Sequence, residues 1–410
     1  MEVIHKRCAG GDVDAKRIVV CVRIARDRRI HRETRTFDTT TKGLLALAEW
    51  LEENRCTHIL LESTGVYWRP VYHILSERLT VVLANAAEVK NVPGRKSDVS
   101  DAAWLADLMA HGLVRASFVP PPPIQELRDL TRTRKQLVRE VARHKQRLQK
   151  ILEDANVKIA HVLSDLLGES GRRTLEALIA GETDPSRLAD LGDVRLKSAR
   201  EDRVEALRGR VTEHHRFMLN LHLTQIRSVE KTIDDLDQRI GKAVTPFRDI
   251  LGRVVKIPGI SKVNAPAVLG EIGIDMGPFP TGAQIVSWAG VCPQLNTSAG
   301  RKLSTKTRRG NVWLKTLLVQ AAWAASRTKG TYFEAKYRRL RARRGPQKAL
   351  IAVAASLLTA IYHVIRDSAE YRDLGGDHFD RLANKDLLAK RYLRRLEKLG
   401  FHVTVTTEAA

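Results

Sequence analysis

The sequence predicts an α/β domain at the N-terminus, followed by a mostly α remainder. Over residues 8 to 118, short apolar runs alternate with helical patterns, whereas apolar residues at three-four spacing dominate from residue 127 onward. Between these regions, the prolines at 120 to 123 predict a stiff, extended spacer and a domain boundary. A chain of 410 residues has room for two or three domains with their own cores.

The α/β region is expected to begin with a β-hairpin. In CAGGDVDAKRIVVCV, apolar residues lie on both sides of a short turn at residues 14 to 16, which puts Asp12 on the first strand. The remaining elements follow in chain order: strands at residues 18–24, 29–37, 58–62 and 80–84, and helices at residues 42–54, near 69–78 and from Asp98 onward.

Four acids of this region form a candidate metal site: Asp12, Glu62, Asp98 and Asp101. Glu62 ends an apolar run, and the C-terminal end of a strand is a common place for a functional residue. The spacing of three between Asp98 and Asp101 puts both side chains on one face of a helix. Carboxylates are costly to bury unpaired, and hard oxygen ligands without a His or Cys cluster suit Mg²⁺ or Mn²⁺.

A purely structural role is the alternative for each of these acids. Asp98 could be only an N-cap, Asp101 a first-turn acid favoured by the helix dipole, and Asp12 and Glu62 ordinary turn acids. The order hairpin, strand, helix, strand, helix favours the metal site, because an RNase H-like fold has its metal ligands at these three places.

The charge of the whole chain indicates a polyanionic partner. The formal net charge is +23 and the isoelectric point is near 10.2. Lys and Arg side chains that neutralise phosphates release counterions, so nucleic acid is the expected partner. No lipidation signal or cluster of exposed aromatic residues suggests a membrane surface instead.

Further features predict a cytosolic protein. The N-terminal segment lacks the apolar core of a signal peptide. The longest apolar stretch, residues 349–365, is shorter than the ~20 residues that a membrane span needs, so a core helix is expected there. The cysteines Cys8, Cys21, Cys56 and Cys292 have no CxxC spacing and are expected to be reduced thiols.

The second region predicts two long antiparallel helices that form a coiled coil. Apolar residues at three-four spacing run from Leu127 to Ile151 and again from Val204 to Ile240, with a Gly- and Asp-rich connection at 168–195. The first helix is rich in cations, and phosphate contact is favoured over a merely solvated face. Its candidate nucleic-acid-binding residues are Arg134, Lys135, Arg139, Arg143 and Lys145.

Residues 254–273, VVKIPGISKVNAPAVLGEIG, match a helix-hairpin-helix, whose glycine turn can present backbone N–H groups to a phosphate. A plain turn between two helices is the alternative. Further on, the loop CPQLNTSAGRK carries Ser298 next to Arg301 and Lys302, so a hydroxyl and two cations could meet a phosphate. Other candidate contacts are Arg95, Lys96, Arg308, Arg309 and, within the dense run at 336–344, Arg338 and Arg339.

Taken together, these motifs resemble the DEDD-motif insertion-sequence transposases related to the Piv-type DNA invertases, a group that includes RNA-guided bridge recombinases. The resemblance covers about residues 8 to 366. Its motifs are CAGGDVDAK, LLESTGVYWRPVY, GRKSDVSDAAWLA, IPGISKVNAPAVLGEIG, SWAGVCPQLNTSAGRK and RRGNVWLKTLLVQAA.

This resemblance implies a RuvC-like (RNase H-like) catalytic domain at residues 1–120 and a coiled-coil arm at 121–248. It implies a mostly α C-terminal transposase domain with the helix-hairpin-helix and a nucleophilic serine at 249–370, and leaves the tail at 371–410 without a role. By position, the DEDD tetrad falls on Asp12, Glu62, Asp98 and Asp101, and the serine on Ser298. Gly11 departs from the family's bulky apolar residue and Asp14 adds a second acid, so Asp14 is an alternative first ligand, although strand alternation favours Asp12.

The implied activity is that of a DNA transposase or site-specific recombinase that cuts and exchanges strands of donor and target DNA. Magnesium held by the tetrad would assist Ser298 in forming a covalent phosphoserine intermediate. The implied partners are a guide (bridge) RNA and further copies of the chain, as a homodimer or tetramer, in the bacterial cytoplasm at the nucleoid. The alternatives are a RuvC-like structure-selective nuclease without a covalent intermediate and a non-catalytic nucleic-acid-binding protein.

Overall fold

The computed structural model describes residues 2–26, 29–62, 65–92, 100–192, 198–294, 296–298, 301–304, 306–382 and 385–403. The chain forms two compact units, Met1–Val119 and Pro120–Ala410. The first unit is mixed α/β and the second is mostly helical, as the sequence predicts.

The first unit contains a five-stranded sheet with the strand order β3-β2-β1-β4-β5. Its strands are β1 (Arg7–Val13), β2 (Arg17–Arg26), β3 (Arg29–Asp38), β4 (His58–Glu62) and β5 (Thr80–Ala84). The first three strands are antiparallel, and β4 pairs in parallel with both β1 and β5. The helices are α1 (Thr41–Glu53), α2 (Trp68–Leu75), α3 (Ala86–Asn91) and α4 (Asp101–Ala110).

Apolar side chains cover both faces of this sheet. On one face, Ala9 and Leu61 belong to a core that α1 and α2 complete. On the opposite face, Cys8 and Leu60 pack with Leu105 of α4. Because successive residues of a strand point to opposite faces, Gly10 and Asp12 of β1 lie on the face that α4 covers.

Two long antiparallel helices run through the second unit, α5 (Pro122–Asp154) and α10 (Glu213–Ala243). Their direction follows from three contacts, in which Arg134 meets Asp237, His144 meets His222, and Asp154 meets His215. Between them in the chain are α6 (Ile159–Val162), α7 (Glu169–Ala180), α8 (Pro185–Asp190) and α9 (Arg200–Ala206).

The segment from 168 to 207 corrects two expectations. Residues 168–195 were expected to be a connection, but they include α7 and α8, because Gly181 ends α7 in a left-handed conformation and Asp184 caps α8 through its side chain. The second long helix was expected from Val204 onward. Instead, α9 ends at Ala206 and Thr212 caps a new helix, α10, so Val204 and Leu207 pack in the core of the short helices.

The remainder of the second unit is helical apart from one short hairpin. It contains α11 (Arg248–Val254), α12 (Ala265–Ile272), α13 (Gly282–Trp288), β6 (Asn296–Ser298), β7 (Arg301–Ser304), α14 (Val312–Ala325), α15 (Tyr332–Arg344), α16 (Pro346–Arg366), α17 (His378–Arg381) and α18 (Lys385–Glu397). Within the described residues, α16 is the one helix long and apolar enough to cross a membrane. Its residues Val353, Leu357 and Ile361 are fully buried in this unit, as expected of a core helix.

Candidate catalytic and nucleic-acid sites

The parallel pairing of β1 with β4 brings Asp12 and Glu62 to adjacent positions. The register joins Gly10 to Leu60 and Gly11 to Leu61, so Asp12 and Glu62 are the next residues on their strands. Both are half-buried at the ends of their strands. Since the side chains of adjacent parallel residues point the same way, these two carboxylates share the face covered by α4.

Helix α4 approaches this face very closely at Gly10. A Cβ atom at Gly10 would lie 2.2 Å from the backbone nitrogen of Ala106 and 2.4 Å from the carbonyl oxygen of Ala102, so only glycine fits there. The close approach brings the N-terminal end of α4, with Asp101 in its first turn, toward Asp12. Burial, with the nearby carboxylates of Asp101 and Asp14, raises the pKa of Asp12 above its usual value.

The N-terminal end of α4 corrects part of the sequence prediction. Ser100 is the N-cap and accepts a hydrogen bond from the Ala103 nitrogen, so α4 begins at Asp101 and not at Asp98. The helical-face argument therefore applies to Asp101 only, and Asp98 lies outside the described residues, as do Arg95 and Lys96. In the part of the chain that is described, no three His, Cys, Asp or Glu side chains are close enough together to hold a metal ion.

A buried ion pair holds α4 against the sheet. Arg23 of β2 donates a hydrogen bond from Nε to Asp107 of α4 at 2.8 Å, and the Arg23 side chain is only 2% exposed. Arg32 of β3 donates to the same carboxylate at 2.8 and 3.0 Å. Two strands and the helix are thereby joined, which fixes the position of α4 and of Asp101 along the sheet.

The serine loop forms a small hairpin in the second unit. Ser298 is the last residue of β6 and pairs with Arg301 at the start of β7. Arg301 is exposed, whereas the side chains of Ser298 and Lys302 are outside the described part of the structure. Whether the Ser298 hydroxyl acts as a nucleophile therefore remains a prediction.

Most of the other predicted nucleic-acid contacts are surface cations in the second unit, and several already have partners. Arg134 pairs with Asp237 at 2.5 Å, Lys145 with Asp165 at 2.5 Å, and Arg338 with Glu334 at 2.7 Å. The Arg308 guanidinium donates to the Ser287 hydroxyl, and Arg339 lies over the ring of Phe379. Arg143 and Arg309 are exposed.

Lys135 and Arg139 instead line a cavity of about 500 Å³ between α5, α10, α12 and α14. Its wall includes the ring of Trp313, with Arg132, Lys135 and Arg139 at 5.3, 5.7 and 5.6 Å from the ring centre. Cavities of this size are typical of small-molecule sites.

Two protein-family models match this chain, one over the acidic sheet face and α5, the other over the serine loop and part of the cavity wall. A DEDD-type IS110 transposase model, described as "Transposase", matches residues 9–157, and a model described as "Transposase IS116/IS110/IS902 family" matches residues 252–338. The chain belongs to the IS110-type transposase family. The first match contains the four acids and Lys135, and the second contains Glu271, Ser298 and Trp313.

Two curated relatives of this transposase chain are named as transposases. The "Transposase for insertion sequence element IS1111A" of Coxiella burnetii is 28% identical over 166 residues, which are 40% of this chain and 45% of the relative. The "Probable family 20 transposase" of Pseudomonas aeruginosa is 25% identical over 297 residues, 68% of this chain and 75% of the relative.

Sequence reasoning did not single out Lys262 or Glu271, which both line this cavity. Glu271 is fully buried and receives two hydrogen bonds from Arg132 at 2.7 and 2.8 Å and one from Asn311 at 2.6 Å. A signal for it was present, because Glu271 is the single acid in the apolar stretch 254–273. A carboxylate at a buried helix position requires partners of opposite charge.

Proposed function

We propose that this chain is a metal-dependent DNA transposase that cuts and rejoins strands of donor and target DNA. The observation that carries the proposal is that β4 places Glu62 beside Asp12 on the sheet face covered by α4, whose first residue is Asp101. Neighbouring carboxylates repel one another, and a bound cation removes that repulsion.

The donor set fits Mg²⁺ or Mn²⁺. Carboxylate oxygens are the ligands that these hard cations prefer. Asp12, Glu62 and Asp101, together with Asp98 from the adjoining segment, would hold the ion once the three described side chains are drawn closer together than they lie here. When bound, such an ion polarises a phosphate and favours loss of the proton from an attacking hydroxyl. The Arg23–Asp107 pair contributes by keeping α4, and thus Asp101, at a fixed height over β1.

The proposed nucleophile is Ser298. Its Oγ forms a bond to phosphorus, and the bond from phosphorus to the 3′ oxygen of the strand breaks. The serine loses its proton and the 3′ oxygen gains one, which leaves a phosphoserine and a free 3′ hydroxyl for strand exchange. This part of the proposal is supported by the resemblance of the loop CPQLNTSAGRK to the family's serine loop.

Trapping of a covalent protein–DNA adduct tests this mechanism. Ser298→Ala should bind DNA normally but form no adduct and no recombinant product. Ser304→Ala is the matched control, because Ser304 lies on the partner strand β7 of the same hairpin and should be dispensable. An adduct that survives in Ser298→Ala and disappears in Ser304→Ala would reassign the nucleophile. Strand cleavage without any adduct would favour a hydrolytic nuclease.

We further propose that the chain acts as a homodimer or tetramer with a guide RNA, at the nucleoid in the cytoplasm. The large positive charge supports an RNA partner in addition to DNA. Purification of the protein from its host with and without ribonuclease, followed by a recombination assay, tests the role of RNA. Full activity after complete removal of RNA would overturn it.

A further inference from the structure

A cavity in the second unit has a strong excess of positive charge. Among the described residues, five cations line it, whereas only two acids do, Asp237 and Glu271. Both acids are engaged, Asp237 with Arg134 and Glu271 with Arg132. The three cations left over are Lys135, Arg139 and Lys262.

Among these three cations, Lys135 is the one with a buried charged group. Its Nζ is buried and, within the described residues, has no hydrogen-bond partner. Burial and the charge of Arg139 lower its pKa, and the opposite charge of Glu271 only partly opposes them. A buried ammonium group without a partner is costly, so a ligand that accepts its hydrogen bonds should be bound strongly.

The walls of the cavity are suited to more than a bare ion. Val138, Ile240 and Leu317 supply apolar surface, and Trp313 supplies an aromatic ring. A volume of about 500 Å³ leaves space beside the cations for a group larger than phosphate. A nucleotide would match both the cations and the apolar walls, because its phosphate is anionic and its base is flat and largely apolar on its faces.

Glu271 connects the helices that form the cavity, and its charge is already paired with an arginine. Its carboxylate is held by Arg132 and Asn311, which lie on α5 and just before α14. Arg128 of α5 also donates to the backbone carbonyls of Gly270 and Glu271 at 2.9 Å. These contacts lock α5, α12 and α14 together, so the free cations are presented on a fixed frame.

We propose that this cavity binds one nucleotide of a DNA strand, with the phosphate on Lys135 and Arg139 and the nucleoside against the apolar wall. The proposal rests on the proposed function in taking DNA as the polyanion, and it adds a binding site outside the carboxylate face. Cation–phosphate contacts of this kind are hydrogen bonds between charged groups, which are stronger than those between neutral groups.

The test compares two lysines of the same helix in the full-length chain. Lys135→Gln removes the cavity charge, and Lys150→Gln removes an equal charge from an exposed position of α5. Binding of a short labelled DNA duplex and of a single strand is measured over a range of salt concentrations. Lys135→Gln should weaken binding about tenfold or more and reduce the salt slope by about one unit, whereas Lys150→Gln should do neither. Arg139→Gln should act in the same direction as Lys135→Gln.

Thermal unfolding of the same variants separates binding from folding. Loss of an ammonium group without a partner should leave the midpoint of Lys135→Gln unchanged or raise it. A lower midpoint together with weaker binding would assign a structural role to Lys135 and overturn the proposal. Equal DNA affinities of Lys135→Gln and Lys150→Gln would also overturn it.

Two further outcomes are distinguishable. If the wild-type chain bound no DNA, the proposed function would fail together with the cavity proposal. If wild-type DNA binding were normal and only the affinity for an RNA of the same length depended on Lys135, the assignment to DNA would be wrong while the transposase proposal would stand.

Discussion

Each unit places like charges near one another, carboxylates in the first unit and cations in the second. In the first unit, Asp12 and Asp101 meet on a sheet face, and in the second, Lys135 and Arg139 share a cavity beside Trp313. In each unit, a nearby carboxylate forms an ion pair with an arginine. Asp107 pairs with Arg23 in the first unit, and Glu271 pairs with Arg132 in the second.

In both units, the paired charges stabilise the fold, and the like charges beside them form the candidate ligand sites. Each arginine–carboxylate pair has one almost fully buried side chain, forms short hydrogen bonds, and connects separate elements of its own unit. The like charges beside them repel one another, which costs stability unless a counter-ion binds. We therefore expect the first unit to bind a cation and the second unit to bind an anion.

The largest expected effect is on activity, from a change in the acidic site. Asp12→Asn should reduce recombination at least about 100-fold, since even the loss of a group that only supports a metal ligand costs 10–100-fold. DNA binding should be retained. Asp14→Asn is the matched control, because Asp14 is exposed in the adjoining turn and should tolerate the change. A reversed result, with Asp14→Asn inactive and Asp12→Asn active, would make Asp14 the first ligand.

The second largest effect is on the stability of the second unit. Glu271→Gln leaves Arg132 without a charged partner in a buried setting, so it should lower the free energy of unfolding by about 3 kcal/mol. Chemical denaturation of the full chain measures it. Glu205→Gln is the control, because both side chains of its pair with Arg208 are exposed and the pair should contribute almost nothing. A stable Glu271→Gln variant would show that the buried pair is dispensable.

Gly10→Ala tests how tightly α4 is held against the acidic face. The added methyl group would collide with the backbone at Ala102 and Ala106, so we expect a loss of about 1–3 kcal/mol in the first unit. Gly241→Ala provides the contrast in α10, where the space is open and alanine favours the helix by about 0.5–1 kcal/mol. Equal effects of the two changes would contradict the close approach of α4.

The smallest expected effect is a pH dependence of the helix pair. Burial, together with His144 and Arg147, lowers the pKa of His222 below its ordinary value of 6.5. The unfolded chain therefore binds more protons than the folded chain in this range, so stability should fall as the pH drops below 6.5. His222→Asn should flatten this dependence in a pH series of thermal unfolding, whereas His214→Asn, at an exposed position, should not. An unchanged pH profile in His222→Asn would rule out this origin.

Much of the fold could be predicted from local patterns. The strands β4 and β5 begin and end where the apolar runs predict, and the turn at residues 14 to 16 joins β1 to β2 as expected. The long helix α5 follows from three-four spacing, and the core helix α16 follows from the apolar stretch at residues 349–365. These features succeed because hydrophobic periodicity and turn residues act over a few neighbouring positions.

The helix boundaries were less well predicted where capping decides them. Ser100, Thr212 and Asp184 each begin a helix through a side-chain hydrogen bond, and the apolar pattern alone suggested other limits. A cap depends on one hydrogen bond at one position, whereas a hydrophobic pattern averages over a whole segment.

By itself, the sequence determined the α/β-then-helical order, the strands that carry Asp12 and Glu62, and the basic character of α5. Only the tertiary structure decided that Asp101 approaches Asp12, because the absence of a side chain at Gly10 lets α4 come close. It also decided that Lys135, Glu271 and Trp313, far apart in the chain, line one cavity. Burial and pairing of charges depend on which helices pack together, and no local pattern contains that information.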